Sequence, residues 1–215
     1  MKTNYFDDIE FACILNSNRN HLAFELINSN ANINFIWDQN NNADSFSKLI
    51  NSSIKSGLPE YCIFCSDKAR PKSKRDFYKI IQLLKLGYGL AGTYGLGFFG
   101  VNLEIFRRIG FFDEFFPRGG SEDLDFLNRL IENDIAYYYD IEIPYLNISS
   151  SWQVGDSNAS LLKQKWREAP LLTNWPEDNF FSIKRNLQDQ TIYDGRLGES
   201  KPVIFLDNSF TIHPN

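Results

Sequence analysis

The sequence predicts an α/β domain on a mostly parallel central sheet flanked by helices. Two patterns carry that expectation: short, nearly continuous apolar runs of strand length, and segments between them with apolar residues at helical spacing. Length and composition set the scale. The chain has 215 residues, 43% of them apolar and 15% aromatic, which is one domain's length and enough to bury roughly 70% of an extended chain's surface. That composition excludes a disordered chain.

The strand runs are residues 11–15 (FACIL), 33–37 (INFIW) and 61–65 (YCIFC), each read as buried on both faces. Between the second and third, Phe46, Leu49, Ile50 and Ile54 follow Asp44 at helical spacing. After the third, Phe77, Ile80, Ile81 and Leu84 do the same, and Ser73 and Asp76 stand at capping-box spacing. Strand then alternates with helix as far as Leu86. The tail beyond Pro170 is broken by Pro176, Gly195, Gly198 and Pro202 and reads as a cover over the domain, with a final strand at 203–206.

Open α/β sheets bind ligands beyond the carboxyl ends of their strands. Here those ends are polar. The first run leads into Asn16, Ser17, Asn18 and Arg19, the second into Asp38, and the third into Ser66, Asp67, Lys68 and Arg70. One acidic residue after a strand is an ordinary turn former; three polar ends on one rim point to a site.

Residues 87–100 (GYGLAGTYGLGFFG) contain two overlapping matches to G-x-G-x-x-G. A dinucleotide fingerprint needs that turn between a strand and a helix of the first βαβ unit. The first match follows a helical pattern, and both come after three strands. The glycines read instead as an aromatic-lined loop that lets backbone approach a ligand.

Residues 109–139 are the most informative. Ser121 stands at an N-cap position, and Leu124, Leu127, Leu130 and Ile131 stripe the helix after it. Glu122, Asp123 and Asp125 crowd its first turns, where the helix dipole stabilises carboxylates in any case. At roughly 100° per residue, Asp123 lies about 50° from the stripe's centre, and Glu122 and Asp125 about 150°. That geometry aims Asp123 at the interior or a cleft wall, as a general base. It also makes Asp-Leu-Asp a poor two-carboxylate metal clamp.

The net charge of −5 argues against bulk nucleic-acid binding. No apolar run approaches the length of a bilayer span, and the first ten residues lack a signal peptide's apolar core. Cys13, Cys62 and Cys65 make an odd count, simplest as reduced thiols. The expectation is a cytoplasmic protein of a single domain over residues 1–215: a nucleotide-binding half (1–100), an acceptor and catalytic half (101–170) and a C-terminal cover (171–215).

With those residues placed, the chain resembles a glycosyltransferase of the GT-A fold (a nucleotide-diphospho-sugar transferase, Rossmann-like) of the inverting family-2 type. The resemblance spans residues 10–139, and its most specific part is Ile109-Gly110-Phe111-Phe112-Asp113-Glu114-Phe115-Phe116 followed by Glu122-Asp123-Leu124-Asp125. It implies catalysis by Asp123 as base beside Glu122. It implies a nucleotide loop at Asn16, Asn18 and Arg19, a uracil contact from Asp38, and a ribose and diphosphate site at Ser66, Asp67 and Arg70. It further implies a divalent cation (Mn2+ or Mg2+) on Asp67. The family's acidic motif usually has two aspartates; here Asp67 stands alone, Lys68 follows it, and His213 is the late histidine that remains as a ligand.

The implied activity is inverting transfer of a hexose from a UDP-sugar donor to a hydroxyl of a glycan or glycoconjugate acceptor, as in polysaccharide biosynthesis. Peripheral membrane contact through a lipid-linked acceptor stays open. Trp152, Trp166 and Trp175 read either as core residues or as stacking faces for the acceptor. Two other readings use the same rim: a nucleotide-sugar hydrolase or nucleotidyltransferase, and a catalytically inactive nucleotide-binding module.

Overall fold

A computed structural model describes residues 11–17, 19–38, 45–55, 58–148, 157–166, 180–181, 204–206 and 209–211. The chain runs β1 (Ala12–Asn16), α1 (Asn20–Ser29), β2 (Phe35–Asp38), α2 (Phe46–Lys55), β3 (Tyr61–Ser66), α3 (Lys74–Lys85), β4 (Leu90–Gly92), β5 (Phe98–Asn102), α4 (Leu103–Ile109), α5 (Glu122–Glu132), β6 (Tyr137–Tyr138), α6 (Asn158–Lys165) and β7 (Phe180–Phe181). These strands form one mixed sheet in the order β2-β1-β3-β5-β4-β6-β7. β5 and β7 run against the other five, so the domain is α/β on a largely parallel sheet, compatible with a Rossmann-like fold. A separate hairpin, β8 (Ile204–Leu206) with β9 (Ser209–Thr211), follows.

All three expected strands form, two of them a residue or two later than the apolar runs suggest. β1 and β3 are buried on both faces, with Ala12, Cys13, Ile14 and Leu15 all nearly inaccessible. β2 departs from expectation because it is the sheet's edge, and Ile36 is 42% exposed. α1 and α3 cover one face, where Leu15, Ile63, Phe77 and Phe98 pack together. α2, α4 and α5 cover the other, where Phe112 and Phe126 stack at 4.4 Å. Helices on both faces are what hold the two sides of a parallel sheet dry.

Local signals act as written in the sequence at α3. Ser73 accepts from the Arg75 N–H, and Asp76 accepts from the Ser73 N–H, completing the box. The glycine-rich stretch becomes β4, a 3-10 turn at Tyr94–Leu96 and the antiparallel β5. A Cβ on Gly92 would sit 2.4 Å from Phe99, and one on Gly100 2.4 Å from Ile80, so these glycines serve close packing in a hairpin and not a dinucleotide turn. Cys13, Cys62 and Cys65 are free, buried thiols, and burial pushes Cys62 up to about 12. Among the described residues no helix is long and apolar enough to cross a membrane.

Candidate functional site

A cavity of about 430 Å³ opens beyond the carboxyl ends of β1 and β3, where a sheet of this kind places ligands. The register brings Asn16 beside Ser66 on one flank and beside Asp38 on the other. Asn16, Arg19, Ser66, Asp67 and Lys68 line one wall, Glu122 and Asp123 another, and Tyr94, Gly95 and Gly97 border the space between. The glycine loop therefore does meet the cavity, and a Cβ on Gly97 would lie 2.8 Å from the Tyr145 ring.

Asp67 is 3% exposed, and both of its carboxylate oxygens are engaged. Arg19 Nε donates to Oδ2 at 2.7 Å, Arg19 Nη2 pairs with Oδ1, and Ser17 Oγ donates to Oδ2 at 2.6 Å. That bond and burial act in opposite directions on Arg19, and the bond to Asp67 dominates, raising the guanidinium's pKa. Trp37 Nε1 donates to the Ser17 carbonyl at 3.0 Å, fixing the turn after β1 against β2. Ser66 Oγ is buried and has no partner among the described residues.

Arg70 does not reach the cavity. Its Nη1 donates to the carbonyls of Asp67 and Ala69 at 2.7 and 2.8 Å, and Nη2 pairs with Glu25 at 3.4 Å. It closes the turn after β3 and ties it to α1, so Arg19 and Lys68 are the bases at the rim. Spacing from the strand end suggested Arg70; what it lacked was the direction of the turn.

The acid wall corrects the helical-wheel expectation. Asp123 is half-buried and lines the cavity, but Glu122 and Asp125 are not turned to solvent: they are 6% and 0% exposed. Nine of the eleven residues of α5 are buried, because α6 packs on the face that the wheel leaves outside. Asp125 accepts from Arg129 Nε at 3.0 Å, Lys165 Nζ at 2.7 Å and Trp166 Nε1 at 3.0 Å. Burial pushes this carboxyl up, and Lys165 and Arg129 more than offset it, leaving it below its ordinary value. Asp113 also pairs with Lys165. Trp166 is thus a buried structural donor and not a sugar platform; Trp152 and Trp175 lie outside the described residues.

Nor does Ser121 cap α5 with its side chain. It is left-handed (φ 73°), as are Arg118 (φ 62°) and Gly120 (φ 97°), and non-glycine residues in that region mark a strained turn. The loop 117–120 is pinned from both sides. Phe46 N–H donates to the Arg118 carbonyl at 2.7 Å, and Asn158 Nδ2 donates to the carbonyls of Pro117, Gly119 and Gly120 at 3.0, 3.0 and 2.6 Å. Sequence reasoning missed Asn158, which sits in a weakly patterned segment.

Glu122 is pushed up to about 8, chiefly by burial and then by neighbouring Asp123, and its Oε2 has no partner among the described residues. Backbone N–H groups of Glu122 and Gly120 hold the carboxyl, which leaves one orphaned oxygen on a residue of the cavity wall, a feature that calls for an explanation in function or in strain. The expected divalent metal finds no comparable support: no three His, Cys, Asp or Glu side chains converge among the described residues, and Asp67 is taken up by Arg19. Asn18 and His213 lie outside the described residues, as does the side chain of Asp38. Compared with protein-family models, curated proteins and solved structures, the chain finds no match.

Proposed function

We propose that the chain is a GT-A-type glycosyltransferase that moves a hexose from a UDP-sugar to a glycan hydroxyl with inversion. The observation that carries this reading is one cavity with two unlike walls. A polar, base-bearing wall at the ends of β1 and β3 faces an acid pair at the start of α5. The nucleotide lies along Asn16, Arg19 and Ser66, with Asp38 at the end of β2 meeting the uracil. Asp123 removes the acceptor hydroxyl's proton while that oxygen attacks the anomeric carbon. The bond from that carbon to the diphosphate oxygen breaks, and UDP departs from the opposite face. Glu122, protonated at neutral pH, donates a hydrogen bond into the cavity. The setting is cytoplasmic, with the acceptor free or lipid-linked.

The test is UDP release from a panel of UDP-sugars, with and without glycan acceptors. Acceptor-dependent release is expected, and Asp123→Asn is expected to cut it about 10²- to 10⁴-fold with the fold intact. Near-normal transfer by a folded Asp123→Asn protein overturns the assignment of the base. Complete donor turnover without acceptor identifies a hydrolase instead, and binding with no turnover identifies an inactive module.

A further inference from the structure

Resting on the reading of the cavity as a nucleotide-sugar site, we infer that the diphosphate is held by the Arg19 guanidinium and the Lys68 ammonium, without a divalent cation on Asp67. Asp67 is already committed to protein partners. Both of its oxygens are engaged by the Arg19 fork, and Ser17 takes a further acceptor position on Oδ2. Fork-to-fork pairs of this kind are strong and directional, and a guanidinium does not shed its proton to make room for a cation. An entering metal would displace one positive group and meet another, since Lys68 lines the same wall. Among the described residues no three His, Cys, Asp or Glu side chains converge, so a cation at Asp67 would rest on one carboxylate already paired with Arg19, with phosphate and water for the rest.

The same contacts make a built anion site. Asp67 and Ser17 fix Arg19 at the rim with 22% of its side chain exposed, so little side-chain freedom is lost when an anion arrives. Ser66 Oγ, buried without a partner on the adjoining strand end, supplies a hydroxyl donor beside it. Asp67 is then a positioning residue for Arg19.

The two roles for Asp67 predict different metal dependence. Asp67→Asn keeps the side chain's shape and one acceptor for Arg19 while removing a negative charge beside the diphosphate. As a positioning residue it loses one of the two bonds that hold Arg19, and binding weakens modestly and equally with and without manganese; as a metal ligand it loses only the manganese-dependent part. Titration calorimetry of UDP against the full chain separates them, run in EDTA and again with manganese. Affinity in EDTA is expected within about threefold of that with manganese, and Asp67→Asn is expected to weaken both alike, by less than about tenfold. Arg19→Ala should weaken binding about tenfold or more. Lys68→Ala, which breaks no described hydrogen bond or ion pair, keeps the test readable if the Arg19 variant misfolds; it should weaken binding and flatten its salt dependence. UDP binding that needs manganese and is lost in Asp67→Asn overturns this inference and leaves the transferase reading standing. No UDP binding by the folded chain under either condition overturns both.

Discussion

Two sets of acids meet the first turns of α5, and their surroundings are opposite. On the α6 side, Asp125 and Asp113 are buried with Lys165 between them, and Arg129 and Trp166 complete the shell. On the cavity side, Glu122 is almost as buried, yet its Oε2 has no partner among the described residues. Burial is nearly equal, and hydrogen bonding is not. The aspartates of the cluster are ion-paired to buried cations and fix shape, although Arg129 Nη2 makes no hydrogen bond among the described residues; Glu122 has no cation beside it there and leaves one oxygen for a ligand to meet. The aspartates of Phe-Phe-Asp-Glu and Glu-Asp-Leu-Asp thus divide into an architectural pair (Asp113, Asp125) and, with Glu122, a cavity-facing pair (Glu122, Asp123).

The harshest way to break that contrast is Lys165→Met. It leaves Asp113 and Asp125 buried without their shared cation, and removing one partner of such a cluster costs about 3–5 kcal/mol. Urea unfolding should show a loss of that size. A loss below about 1 kcal/mol would mean the cluster is no more structural than the cavity pair.

Glu122→Gln sharpens the other side, with the reverse sign. The ordinary value of 4.5 rises to about 8 on folding, so the folded state binds the proton more tightly than the unfolded chain. Stability therefore falls as pH rises through that window and levels off above it. Glutamine mimics the protonated form and lacks this dependence. The variant should match the parent near pH 5 and exceed it by roughly 1–3 kcal/mol near pH 8, read from urea midpoints at both pH values. Parallel curves would mean that Glu122 is ionised throughout, and the contrast with Asp125 would dissolve.

Much of the fold is legible in the sequence because it is set locally. The runs that become β1, β2 and β3 and the capping box at Ser73 need no knowledge of distant partners. The rim is legible for the same reason: strand ends carry their polar residues with them, and Asn16, Arg19, Ser66, Asp67 and Asp123 do meet. What fails depends on a neighbour far along the chain. The helical wheel of α5 assumes one wet face, but α6 dries it and makes core partners of Asp125 and Trp166, which lie 41 residues apart. Arg70 fails because a turn bends it back on its own backbone. The Arg19–Asp67 pair joins residues 48 apart, so no local pattern announces that the acid is already taken.

Asn158 gives the finest test, because it belongs to both regions. It starts α6, on the ion-paired side, and its amide holds the loop 117–120, which carries Gly119 and Gly120 into the cavity wall. Two of its three bonds are only part-buried, so water replaces some of what Asn158→Ala removes, and the stability loss should be about 1 kcal/mol. If α6 serves only to dry the cluster, a loss that small leaves transfer by the folded variant untouched. If it also sets the cavity, the loop relaxes from its left-handed turn and the start of α5 shifts with it, displacing Asp123 from its working position. Misplacing a reacting group by about 1 Å costs on the order of 10²-fold. Transfer measured well below the variant's melting transition should therefore fall far more than its urea midpoint does, and equal modest losses in both would confine α6 to the architectural side.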